Sequence, residues 1–223
     1  MRRLADEAAV LLAERTERRA EPALDLDGHL SASAAIALTA EPEDFARRLR
    51  RPVPFRPQPR ARLGSEFHAW VEHHFEQPAL LHPDEDLDRD EATAGLADLR
   101  RNFLASPWAA RRPIAVEADL ETLVAGRVIR CRIDAVFAEG DRIEVVDWKT
   151  GRPPSTRAEL DVRQMQLALY RLAWSRASGV PLTAISGAFF HVADGVTVRA
   201  DPWTEAQVEE RFARALVAAG VPG

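Results

Sequence analysis

Cysteine occurs once in the 223-residue chain, at Cys131, which excludes an intramolecular disulfide, an all-cysteine zinc site and an iron–sulfur cluster held by this chain alone. Any metal must therefore sit on oxygen and imidazole. Lysine also occurs once, at Lys149, although Lys and Arg together number 30. A chain that uses arginine at every other basic position marks its one lysine as a candidate for work that needs a compact ammonium on a flexible stem. No apolar run approaches the ~20 residues of a membrane-spanning helix. The basic start and apolar middle of the first residues are interrupted by Asp6, Glu7 and Glu14, and no small-residue cleavage site follows, which argues against a signal peptide. The expected compartment is the cytoplasm, with no membrane partner. Positive charge is not in excess either: a net charge of −5 argues against coating nucleic acid by bulk charge, while leaving room for a local basic groove.

What is present is the composition of a globular protein, 46% hydrophobic and 29% charged, long enough for one domain with an appendage. The expected division is an N-terminal helix and connector over 1–30 and one domain over 31–223. Residues 3–19 carry Leu4, Ala8, Leu11, Leu12 and Arg15 at helical spacing before EPALDLDG breaks the pattern. Ser31 or Ser33 is placed to cap a short helix, and Pro42 with Glu43 and Asp44 opens another running to about Arg50. RPVPFRPQPRAR then reads as an extended basic loop, followed by a helix over about 63–76, an acidic break and a helix near 91–105. From Pro113 the period becomes strand-like, and IAVEADLETLV, RVIRCRIDAVF and RIEVVDW read as a three-stranded antiparallel meander. A polar loop leads to a helix over about 158–176, then a buried strand ISGAFFHV, a short strand VTVRA and a closing helix capped by Thr204. The order predicts an α/β fold with a central mixed sheet between helices.

The charged residues of the meander converge. Alternate residues of a strand share a face, so Asp147 and Lys149 project together and Trp148 projects oppositely. With a hairpin closed over residues 138–141, Phe137 pairs with Arg142 and Asp134 lies diagonal to Asp147, about 7–8 Å away and within reach of a shared cation. Two carboxylates suit Mg²⁺ or Mn²⁺, and an adjacent ammonium can orient a water or stabilise charge developing on a phosphate. Asp147, beside Val145 and Val146 in an apolar strand, would be costly to bury without a cation or hydrogen bonds. This is a layout suited to phosphodiester hydrolysis.

The segments GSEFH (64–68), RID (132–134), VDWKTG (146–151) and QLALY (166–170) stand in an order that resembles the RecB-type nucleases of the PD-(D/E)xK superfamily, and the flanks resemble the C-terminal nuclease modules of actinobacterial UvrD-like helicase-nucleases. The resemblance implies a restriction-endonuclease-like core. It implies that Asp134, Asp147, His68 and the backbone carbonyl of Trp148 hold Mg²⁺ or Mn²⁺, that Lys149 is the catalytic lysine, and that Gln166 and Tyr170, one helical turn apart, face the active site and the DNA. The implied substrate is DNA, single-stranded in particular, and the implied partner is a helicase motor in cis or in trans. No Walker A motif occurs, so no nucleotide site is expected in this chain. The same site would serve a stand-alone or phage-defence exonuclease, and a module that had lost activity would bind DNA or a partner only.

Other polar and aromatic residues have plainer readings. His73 and His74 read as solvated surface and His191 as a satisfied core residue. Glu117 is either a support for the site or an ordinary outward residue of an alternating strand. The tryptophans read as core, Trp148 alone being close enough to the site to stack on a base. Arg51, Arg56, Arg60 and Arg62 are candidate phosphate contacts, the last three forming the predicted DNA-binding set.

Overall fold

The structure, a computed structural model, describes Leu26 and residues 28–51, 59–76 and 91–221. The predicted helix over 3–19 and Arg56 lie outside these residues. The elements in chain order are β1 (His29–Ser31), α1 (Ala32–Ala40), α2 (Pro42–Arg50), α3 (Pro59–Glu76), α4 (Glu91–Leu104), β2 (Ala115–Val124), β3 (Arg127–Glu139), β4 (Arg142–Lys149), α5 (Arg157–Ser178), β5 (Ile185–His191), β6 (Val196–Arg199) and α6 (Glu205–Ala218). Local chemistry sets the boundaries as read. The Ser31 hydroxyl accepts from the Ala34 amide, Thr156 caps α5, and Thr204 forms a reciprocal capping box with Gln207. Gly179, at φ +76, ends α5 in the left-handed conformation that glycine adopts without a Cβ penalty.

Two features differ from expectation. Helix α3 begins at Pro59, so Pro59–Arg62 forms its first turn where an extended loop was predicted; proline tolerates that position because the first helical amides need no partner. The β3–β4 hairpin pairs Glu139 with Arg142, leaving only Gly140 and Asp141 in the turn, with Gly140 at φ +59. The register is therefore two residues from the one predicted. A two-residue shift leaves the paired residues on the same faces, but pairing stops at Ala135↔Val146, so Asp134 is not paired with Val145 as the predicted register had it.

The six strands form one mixed sheet in the order β1-β3-β4-β5-β6, with β2 on the other edge of β3. Helices α1, α2, α5 and α6 cover one face, around Ile133, Val145, Leu167, Phe189 and Phe212; α3 and α4 cover the other, around Phe67, Phe103, Phe137, Trp148 and Phe190. Helix α5 lies so close to the sheet that a Cβ added at Gly187 of β5 would stand 3.0 Å from Leu167 Cβ and 3.4 Å from Arg171 Cδ. Arg171 cannot easily yield, because its buried guanidinium donates to the carbonyls of Ile185 (2.6 Å), Leu182 (3.0 Å) and Trp203 (3.0 Å). Gly187→Ala is expected to cost about 1–3 kcal/mol through overpacking, read as a lower urea midpoint. Gly28→Ala, which meets open space, is the control, and equal stability of the two variants would show that the approach is not tight.

Candidate active site

The site stands where β3 and β4 part. Their pairing ends at Ala135↔Val146, yet β4 continues beside β5 as far as Lys149↔His191, while β3 continues beside β2 and takes β1 on its freed edge. The fork coincides with a change of phase. Ile129, Cys131 and Ile133 face the α5 layer, whereas Ala135 and Phe137 face the α3 layer, so the alternation slips at Asp134. Beyond the fork the Trp148 amide has lost its strand partner, and the Asp134 carboxylate replaces it, accepting through Oδ2 at 2.7 Å. Thus Asp134 is held by the backbone of the strand that carries Asp147 and Lys149.

Asp147 is 2% exposed. Its Oδ1 accepts from Gln166 Nε2 at 2.6 Å, and the same amide donates to the Tyr170 hydroxyl at 2.8 Å. The Gln166 carbonyl oxygen accepts from Lys149 Nζ at 3.0 Å, so one α5 side chain bridges the aspartate, the lysine and the tyrosine. Lys149 Nζ also lies 2.7 Å from Asp147 Oδ2 as an ion pair, so the buried carboxylate meets an ammonium on one oxygen and an amide on the other. Burial first, and the neighbouring Asp134 charge second, push the Asp147 carboxyl well above the ordinary range, against the pull of Lys149. Burial and the two aspartates push the Tyr170 hydroxyl upward too, so it stays a phenol.

His68 enters from α3. Its Nε2 is 3.0 Å from the Trp148 carbonyl, and its Nδ1 is 3.5 Å from Asp134 and 3.9 Å from Glu117. Burial opposes its charging, but the hydrogen bonds and charges of Asp134 and Glu117 outweigh that and raise the imidazole to about 10. Glu117 is also paired with Arg132. Burial alone would raise the Glu117 carboxyl, yet His68 and Arg132 hold it below the usual range. Among the described residues, the ligand atoms of His68, Glu117 and Asp134 lie within 4.8 Å of one another. The trio brought together thus contains Glu117, and Asp147 lies beside it rather than in it. Sequence alternation could not single out Glu117, because its placement depends on a backbone φ of +48.

Arg62 is exposed and pairs with Glu66 at 2.7 Å along α3. Arg60 belongs to the first helical turn rather than to a loop, which corrects the predicted setting of both. The Trp148 ring is buried in an aromatic cluster, 5.3 Å from Phe103 and 5.9 Å from Trp108, and offers no platform for a base. His74 stacks on Trp70 at 5.5 Å. His191 is buried, and burial holds its pKa below the ordinary value; the neutral ring donates from Nδ1 to the Gly151 carbonyl at 2.8 Å, anchoring the loop that follows Lys149.

The residues fit a divalent cation. Carboxylates, an imidazole and a backbone carbonyl are hard or borderline donors with no thiolate among them, and the buried Asp134 and Asp147 carboxylates raise one another's cost, which a cation would lower. No helix among the described residues is long and apolar enough to cross a membrane.

Comparison with known proteins agrees with this architecture. No curated protein sequence matches the chain. A solved structure from Eubacterium rectale, named as a candidate exonuclease, superposes with a TM-score of 0.57 at 13% identity, covering 86% of this chain and 82% of that one. The structure of SSO0001 covers 95% of this chain and 85% of its own, at a TM-score of 0.45 and 16% identity, too low to carry argument. The first likeness establishes the fold alone. The family description "PD-(D/E)XK nuclease superfamily" matches residues 29–220, which takes in the sheet, the fork and the six helices of the described residues, and the chain belongs to that superfamily.

Proposed function

We propose that the chain is a Mg²⁺- or Mn²⁺-dependent deoxyribonuclease that hydrolyses phosphodiester bonds in single-stranded DNA. The observation that carries this reading is the pair of buried carboxylates, Asp134 and Asp147, at the fork, with His68 3.5 Å from the first and the Lys149 ammonium 2.7 Å from the second. Asp134, Asp147, His68 and the Trp148 carbonyl would hold the ion, which when bound supplies Lewis acidity toward a phosphoryl oxygen and a more acidic water. The protein's own part is placement. Gln166 aims the Lys149 ammonium, one-third exposed, so that it can meet charge developing on the phosphate while Asp147 keeps it in position. Tyr170, as a phenol, fixes the Gln166 amide from the far side.

We further propose, on the resemblance of the four segments, that this is the nuclease arm of a cytoplasmic helicase-nuclease acting at DNA double-strand breaks, the motor being supplied in cis or in trans, with residues 1–30 as its connector and 31–223 as its nuclease domain. The test of the chemistry is metal removal. Chelation with excess EDTA should abolish cleavage of a labelled single-stranded oligonucleotide, and Mn²⁺ or Mg²⁺ should restore it. Cleavage that persists in excess chelator would overturn the assignment. Equal rates on single-stranded and duplex substrates would remove the strand preference and leave the chemistry standing.

A further inference from the structure

Building on the metal-dependent reading above, we infer that Glu117 is itself a ligand of the metal centre, delivered by a strained strand residue and held by Arg132 until a cation arrives. The register of β2 and β3 pairs Val116 with Ala135 and Ala118 with Ile133, so Glu117 stands directly across from Asp134. At that position Glu117 has φ +48 in the middle of a strand. Glutamate has no special tolerance for this region, and such residues persist where the surroundings demand them. The side chain is 10% exposed and reaches His68 and Arg132 together.

An ion pair with Arg132 does not explain that arrangement. Farther along the same ladder, Glu121 pairs with Arg130, the residue directly across from it, with an ordinary backbone and with both side chains more than half exposed. A simple cross-strand pair in this sheet therefore needs neither strain nor burial. Glu117 differs in that its carboxylate, the Asp134 carboxylate and the His68 ring are close enough to bind one ion. Asp147, 2% exposed on the neighbouring strand, adds a further buried carboxylate beside Asp134. A cation at the fork would thus meet a carboxylate from β2, a carboxylate from β3 and the His68 imidazole from α3, a set that suits Mg²⁺ or Mn²⁺.

The test is Mn²⁺ binding to the whole metal-free protein, measured by calorimetry and by the loss of free Mn²⁺ signal in electron paramagnetic resonance. Glu117→Gln and Glu117→Gly should each weaken Mn²⁺ at least tenfold; the glycine variant accepts φ +48 without strain and keeps the test usable if the glutamine variant does not fold. Arg132→Gln should bind Mn²⁺ as tightly as wild type or more tightly, because it removes a competitor for the carboxylate. A Glu117 that merely orients His68 would give no further loss in a His68→Ala background, whereas a ligand gives one. Affinity within twofold of wild type in both Glu117 variants, or no added loss in the double variant, overturns the inference alone. Wild-type protein that binds no Mn²⁺ overturns the metal centre as a whole.

Discussion

Asp147→Ala should eliminate cleavage while leaving affinity for single-stranded DNA unchanged or higher. The variant removes the Oδ2 that faces Lys149 and the Oδ1 that accepts from Gln166, so a cation loses a ligand and Gln166 loses the partner that aligns it with Lys149. Metal-supplied charge stabilisation is worth several kcal/mol in the transition state, and at about 1.4 kcal/mol per tenfold the loss should reach three orders of magnitude or more in single-turnover rate. Binding should move the other way, since an anion beside the scissile phosphate has gone and long-range repulsion falls. The fold should survive. Lys149 is one-third exposed and can keep its charge solvated when its partner goes, and circular dichroism checks that the variant is folded. Filter binding and single-turnover cleavage on the same preparation separate the two effects, and a variant that cuts near the wild-type rate rules out Asp147 as a ligand.

The parts of this site that were legible in sequence are those that follow from periodicity. The shift to period two after Pro113 located the meander, and the parity of Asp147, Trp148 and Lys149 placed the charges on one side and the indole on the other, as the two core clusters show. Helical spacing likewise put Gln166 and Tyr170 on one face of α5, where a 2.8 Å hydrogen bond joins them. Register was less accessible. It depends on turn length, and the Gly140–Asp141 turn admits a two-residue closure that the pattern of strand residues cannot distinguish from a four-residue one, since both preserve the faces. Strand β1 escaped notice because three residues, HLS, carry no period.

Glu117 was illegible for a different reason. Its reach into the site depends on one backbone dihedral and on a phase slip shared with Asp134, and neither leaves a mark on the order of hydrophobic and polar residues. The first turn of α3 was misjudged because four prolines within eight residues, from Pro52 to Pro59, read as uninterrupted extended chain, although the last of them can open a helix. In each case the missing information is a local choice of φ and ψ that tertiary packing makes.

Lys149→Arg should fail to support catalysis in a protein whose every other basic side chain among 30 is arginine. The ammonium occupies a narrow place: 3.0 Å from the Gln166 carbonyl, 2.7 Å from Asp147 Oδ2 and 5.4 Å above the Phe189 ring. A guanidinium keeps the charge but is planar and forked, and its preferred partner is a carboxylate taken through both oxygens. It would therefore compete with Gln166 for Oδ1 and with a cation for Oδ2, converting a positioned charge into a clasp on the very oxygen the metal needs. The expected result is a fall of at least about a hundredfold in single-turnover cleavage in saturating Mn²⁺, comparable to the loss of one preorganised stabilising donor, with circular dichroism unchanged. A weaker Mn²⁺ affinity in the arginine variant than in Lys149→Ala would identify the clasp as the cause, since alanine leaves Oδ2 open. An arginine variant that cleaves as fast as wild type would mean that the lysine acts only as a screening charge, and placement by Gln166 would then have no mechanistic role.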